Sequence, residues 1–155
     1  MPPIQAKSPY SWEDVLNLVR TNFAYMEPRI NPPSSMHKMT VEMVADHADK
    51  NEIWVIEQDQ TPIACVFLTP KERALYVGKL AVNVAHRGKG LARVLMDKAA
   101  EGALQSGFKT LELQTRIELT ENHATFSKMG FVKTAEGRHT GFDRTTEITM
   151  QKDLS

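Results

Sequence analysis

Apolar residues recur at helical spacing near the start of the chain. Val15, Leu18, Val19 and Phe23 share one face, Ser11 stands where a cap belongs, and Glu13 and Asp14 occupy the first turn. Residues 11–27 are therefore predicted to form a helix that Pro28 ends. Three prolines within residues 27–38 predict a long loop without regular structure. Thr40 caps a second helix, with Val41, Val44 and Ala48 turned inward, that lasts to about position 50. The period then changes: residues 52–57 and 63–68 are β-rich runs that Asp59-Gln60-Thr61-Pro62 joins as a hairpin, and a third strand spans 74–84. Leu91, Leu95 and Ala99 give a helix over 91–105 that stops at Gly107. A strand over 110–115 and a helix over 121–129, ended by Gly130, follow. Strands 131–136 and 145–151 are joined by a hairpin loop, residues 137–143, to which no chemistry attaches.

The order α-α-β-β-β-α-β-α-β-β predicts an α+β fold of the three-layer α/β type. It implies a mixed, mostly antiparallel sheet with a central β-α-β crossover and flanking helices, as a single domain over residues 1–155. Composition agrees. With 41% hydrophobic and 25% charged residues, a disordered or coiled-coil chain is excluded. Nineteen basic residues balance nineteen acidic ones, which argues against nucleic acid or an anionic membrane as partner. No basic stretch followed by an apolar core opens the chain and no window approaches a membrane span, so a cytoplasmic setting is expected. Cys65, in an apolar run, reads as a buried small hydrophobe, and no metal is expected.

The neutral total conceals an asymmetry. Residues 1–77 carry seven Lys and Arg against ten Asp and Glu, and residues 78–155 carry twelve against nine. Five of the cations (Lys79, Arg87, Lys89, Arg93, Lys98) fall within twenty positions, around Gly88 and Gly90. There a strand runs into a basic glycine turn that opens directly onto a helix, an arrangement that aims free backbone N–H groups at an anion. No Ser, Thr, Asp or Asn between His86 and Leu91 caps that helix, so either a ligand phosphate or a glycine takes the role. Walker spacing is absent. A dinucleotide fingerprint would need glycine where Arg93 stands, although Glu112 sits near the distance expected of its ribose carboxylate.

Arg87-Gly88-Lys89-Gly90-Leu91-Ala92 matches Arg/Gln-x-x-Gly-x-Gly/Ala. With the preceding strand and the downstream Asn122, Phe126 and Gly130-Phe131, the chain resembles the GNAT family of acetyl-CoA-dependent N-acetyltransferases over about residues 53–135. The resemblance implies acetyl-CoA as cofactor and a strand that splays from its neighbour. Leu80, Ala81 and Val82 would meet pantetheine, Arg87, Gly88, Lys89, Gly90, Leu91 and Ala92 the pyrophosphate, and Asn122 the cofactor arm. It also implies direct attack by a primary amine of a small-molecule or peptide acceptor, on a fold that often forms homodimers.

The family's acid tyrosine is replaced by Phe126, so Tyr76, Ser127 and His123 are the substitutes considered, and Tyr76 is the candidate acid. Glu112 is the candidate base. Arg29, Asn31, Ser34, Ser35 and His37 on the proline-rich loop would hold the acceptor, with residues 114–118 as the opposite wall. Arg116 in that wall would pair with a substrate carboxylate or with Glu118. Two rival readings stay open: an idle acyl-CoA-binding or regulatory module, and a dinucleotide-binding oxidoreductase.

Overall fold

The computed structural model describes residues 1–24 and 26–155, with all their side chains but that of Ser35. Strands β1 (Ile4–Gln5), β2 (Glu52–Gln58), β3 (Thr61–Pro70), β4 (Leu75–Val82), β5 (Thr110–Arg116), β6 (Val132–Gly137) and β7 (Glu147–Asp153) form one sheet. Their order is β1-β2-β3-β4-β5-β7-β6, and only β4 and β5 run parallel. Helices α1 (Trp12–Ala24), α2 (Val41–Lys50), α3 (Leu91–Gln105) and α4 (Thr120–Lys128) flank it. This is the mixed, mostly antiparallel α+β architecture that the hydrophobic pattern predicts.

Three local expectations need correction. β1 was absent from the predicted order because two residues carry no period; it joins the sheet by pairing with Val55 and Trp54. α1 stops at Ala24 rather than at position 27, and Pro28 lies inside a 3-10 turn, Glu27–Arg29, at a position where a missing N–H removes no bond. The loop expected to be irregular holds a second such turn, Ser35–Lys38, capped where the Ser34 hydroxyl accepts the Met36 N–H at 3.1 Å.

The period of two along β3 explains the layers. Ala64, Val66 and Leu68 pack against Leu91, Leu95, Met96, Ala99 and Ala103 of α3, whereas Cys65 and Phe67 pack against Val15, Leu18 and Val19 of α1 and Val44 of α2. The β2–β3 hairpin turns on Asp59 and Gln60, both at positive φ, the handedness that matches strand twist. On β5 and β7, Leu111, Leu113, Ile148 and Met150 enter the α3 core. Alternation therefore turns Glu112, Gln114, Arg116 and Glu147 to the opposite face. Among the described residues, no helix is long and apolar enough to cross a membrane.

Candidate active site

β4 and β5 pair only at Leu75 with Leu111 and Tyr76 with Glu112. Beyond those rungs β4 continues to Val82 and β5 to Arg116 with no further pairs, so a wedge opens at the carboxyl ends of the parallel pair, where open sheets bind ligands. A bulge widens the difference between the strands. β3 takes two steps from Phe67 to Cys65 while β4 takes three from Gly78 to Ala81, and Lys79 absorbs the extra residue at φ 49°. The bulge also reverses the phase. Leu75 and Val77, then Leu80 and Val82, face the α3 core, whereas Lys79 and Ala81 turn toward α1 and α2. A cleft of about 680 Å3 runs through the wedge and touches both layers.

On the α3 side the glycine turn governs the geometry. Gly88 and Gly90 have φ of 78° and 79°, which side-chain-bearing residues adopt only at a cost, while the space around both is open. Gly90 is the cap residue of α3 and offers no side chain, so among the described residues the first-turn N–H groups of the helix have no side-chain cap, and they face the cleft. Leu80, Val82, Arg87, Gly88, Gly90, Leu91, Ala92 and Asn122 all line the cleft; Ala81 is buried on the other side of its strand, and Lys89 is exposed outside the lining. Arg87 donates to Asn22 Oδ1 at 2.8 Å. The five neighbouring cations separate in space: Lys98 stands 4.5 Å from the Trp54 ring centre, and Lys79 faces away from α3. Arg87, Lys89 and Arg93 remain around the turn. Phe126 lines the cleft and packs edge-on against Phe131, ring centres 6.0 Å apart.

On the α1 side, the proline-rich loop is held by its polar groups. Arg116 donates to the carbonyls of Pro32 at 2.5 Å and Pro33 at 3.2 Å, so its guanidinium fork braces the loop, and among the described residues it makes no ion pair with Glu118. Glu118 instead accepts the Asn31 N–H at 3.2 Å and an Arg144 N–H at 3.4 Å. Arg29 pairs with Glu121, and His37 Nε2 lies 2.9 Å from Glu27 Oε1. Arg29, Asn31 and His37 are therefore braces outside the cleft lining. Ser34 reaches the lining, Ser35's side chain lies outside the described residues, and Met26 and Met36 supply the loop's apolar contribution.

Glu112 accepts a hydrogen bond from Gln151 Nε2 at 2.8 Å and does not line the cleft. Tyr76 does line it. Burial first, then the nearby Glu147 and Glu112 carboxylates, raise its phenol above the usual tyrosine range. His123 turns to the Arg116 carbonyl at 2.9 Å. Cys65 is wholly buried, and that burial pushes its thiol up to about 12.

Three lining residues escaped sequence reasoning in this role. Glu147 rests its carboxylate over Gly137, whose missing Cβ would lie 3.3 Å from Oε1. His139, in the hairpin loop considered inert, reaches the cleft with its N–H and Nδ1 2.9 and 2.5 Å from Oγ1 of the buried Thr146. Lys79, counted with the phosphate cations, lines the cleft from the bulge, and burial lowers its ammonium below the ordinary lysine range. No local motif marks them. Strand register and a bulge bring them together.

A family model described as acetyltransferase (GNAT) family matches residues 12–131. Among solved structures, the chain is similar to the PaiA N-acetyltransferase from Thermoplasma acidophilum in complex with coenzyme A, at 13% identity over 99% of each chain and a TM-score of 0.79. It is also similar to a GNAT family acetyltransferase from Staphylococcus aureus Mu50, at 14% identity over 99% of this chain and 98% of that one, TM-score 0.78. A third is a GNAT family acetyltransferase from Elizabethkingia anophelis with acetyl-CoA bound, at 16% identity over 98% and 97%, TM-score 0.68. No curated protein matches the chain. At these identities the solved structures speak for the fold, which is theirs, and the match over residues 12–131 decides the family: the chain belongs to the acetyltransferase (GNAT) family.

Proposed function

We propose that the protein is an N-acetyltransferase that binds acetyl-CoA along β4 and the N-terminus of α3 and acetylates a primary amine held on the α1 side of the sheet. The observation that carries this reading is the α3 N-terminus, which has no side-chain cap among the described residues, has two glycines at positive φ before it, and opens into the wedge between β4 and β5. Those residues fit the cofactor. Free N–H groups and Arg87 and Arg93 suit its phosphates, and the unpaired stretch of β4 suits an amide-bearing arm. Two structures sharing the fold were solved with acetyl-CoA or coenzyme A. Acetyl-CoA, when bound, supplies the acetyl group as a thioester.

The chain's own work is then to bind, orient and manage protons. Attack is direct, because the one cysteine is buried and held as a thiol. Of the two carboxylates at the cleft wall, Glu121 is paired with Arg29, and Glu147, across from Arg116 in strand register, takes the amine's proton. Glu112, bonded to Gln151, supports Tyr76 electrostatically from below. Tyr76 keeps its phenol proton through neutral pH and offers it as a hydrogen-bond donor at the wedge. A dinucleotide-binding reading has less support, since that fold is a doubly wound parallel sheet and this one holds a single parallel pair.

Calorimetry with acetyl-CoA, CoA and NAD tests the first step; binding of the two CoA species and not NAD is expected, and failure of both CoA species to bind would end the proposal. Thiol release with a panel of amines then separates an enzyme from an idle acyl-CoA-binding module. The buried Cys65 adds no background to that assay while the protein is folded.

A further inference from the structure

Two opposite charges line the acceptor half of the cleft and neither has a partner. Lys79 makes no ion pair or side-chain hydrogen bond among the described residues, although it is partly buried beside Cys65 and Ala81 and its charge reaches His47 on α2. Glu147 has no hydrogen bond or ion pair among them either; its carboxylate lies over Gly137 on the far side of the wedge. Burial disfavours the Lys79 charge, and a ligand that brings a carboxylate to Lys79 and an ammonium to Glu147 supplies each with the partner it lacks.

We infer that the acceptor is a small amino acid, with Glu147 receiving its ammonium and Lys79 its carboxylate. The inference rests on the acetyltransferase reading and specifies its substrate. Strand geometry supports the size. Arg116 stands opposite Glu147 and four residues beyond Glu112, and Lys79 stands three residues beyond Tyr76, the rung partner of Glu112, so the two charges lie at similar heights on the same face. Two strand spacings put their backbones at least about 10 Å apart, and the wedge widens that gap, which leaves room for a small amino acid with an ion-pair contact at each end. Arg116, the cation that a carboxylate would otherwise choose, is held on Pro32 and Pro33. Phe23, Met26 and Met36 on the same side give an apolar surface for a side chain.

The chemistry balances without further reactants. Glu147 removes one proton from the ammonium; the freed amine nitrogen forms the amide bond as the carbon–sulfur bond of the thioester breaks; the electron pair leaves on the thiolate, and the second proton that the nitrogen loses passes to that sulfur to give CoA thiol.

The test is kinetic. The common amino acids are compared as acceptors, each against its own amide and its decarboxylated amine, in wild type, Lys79→Met and Lys79→Arg. All three side chains meet the same backbone strain at φ 49°, so folding does not confound the comparison. At least one amino acid is expected to exceed its amide and amine in kcat/KM by about 10-fold or more. Lys79→Met should collapse that ratio toward one through KM, and Lys79→Arg should restore part of it. A wild type that prefers amides or decarboxylated amines throughout, or a Lys79→Met variant that keeps the ratio, overturns the inference and leaves the acetyltransferase reading standing. Binding of acetyl-CoA with no thiol release from any amine overturns both.

Discussion

The two halves of the cleft are built on different principles. The α3 side is built around a local unit: a strand, a turn with two glycines and a helix N-terminus run contiguously from Leu80 to Ala92 along its wall, with α4 adding Asn122, Thr125 and Phe126. In the proposed reading, backbone N–H groups bind there, and the sequence need only keep side chains out of their way. The α1 side is assembled from afar. Its lining draws on α1, the loop at Met26–Met36, β4, β5, the β6–β7 hairpin and β7, positions more than a hundred residues apart. In the proposed reading side chains bind there, and long-range braces such as Arg116 to Pro32 and Arg144 to the Asn31 carbonyl at 2.7 Å hold the loop in place. A cofactor common to many enzymes suits the first construction. A particular acceptor needs the second, because side chains and their supports are what a sequence can vary without disturbing the backbone.

Gly90→Asp should break the first half most severely. A carboxylate would occupy the end of α3 where a phosphate belongs, and acetyl-CoA affinity should fall by about 100-fold or more, read by calorimetry. The strain of a side chain at positive φ, about 1 kcal/mol, is a separate effect. Gly107→Asp, at φ 87° past the other end of the same helix, bears similar strain and should leave affinity within about twofold. Equal loss in both variants would remove the uncapped helix end from the argument.

Glu147→Gln tests the second half at its proposed proton acceptor. It should lower kcat/KM for amines by about 10- to 100-fold while acetyl-CoA binds as before. If Glu112→Gln has the larger effect, the base lies on β5 and the role given to β7 fails. Arg116→Met acts through the loop: two carbonyls lose a charged donor, costing about 2 kcal/mol of stability. The acceptor KM should rise about 10-fold with little change in cofactor affinity. A matching loss of cofactor affinity would show that the two halves are not separable.

The contrast also explains what could be read from the sequence. Period-2 runs and glycine stops disclosed the sheet, the crossover and the α3 turn, because each is set by neighbours a few residues apart. β1 escaped notice because two residues have no period, and the 3-10 turns because prolines conceal them. In the α1 half, the loop's polar residues looked like acceptor ligands, yet Arg29, Asn31 and His37 find their partners in Glu121, Glu118 and Glu27, and of the described side chains among them only Ser34 reaches the lining. A polar side chain in a loop advertises a hydrogen bond without saying to what. Glu147 and His139 carry no motif and are brought in by β6–β7 register. Lys79 was counted with the cations around the glycine turn, yet one bulge reverses the alternation and turns it toward α1, and a bulge in β4 leaves no trace in Gly78-Lys79-Leu80 that a regular strand would lack.

The smallest expected effect is also the most direct measure of how the α1 half differs from the surface. Burial lowers the Lys79 ammonium below its value in the unfolded chain, so below both values the folded state holds a charge that it disfavours, and stability is reduced there. As pH rises through the folded value toward 10.5, the folded protein loses that proton before the unfolded chain does, and the penalty disappears. Lys79→Met should accordingly melt higher than wild type near pH 7, by a few degrees at most given that the group is only partly buried, and the gap should shrink as pH approaches 10. A wild type as stable as the variant at neutral pH would mean that the cation is compensated, leaving a carboxylate-bearing acceptor with nothing to offset. If the gap is present and a saturating preferred amino acid narrows it at neutral pH, the cost of the lone lysine and the affinity for the acceptor are one free energy read from two sides.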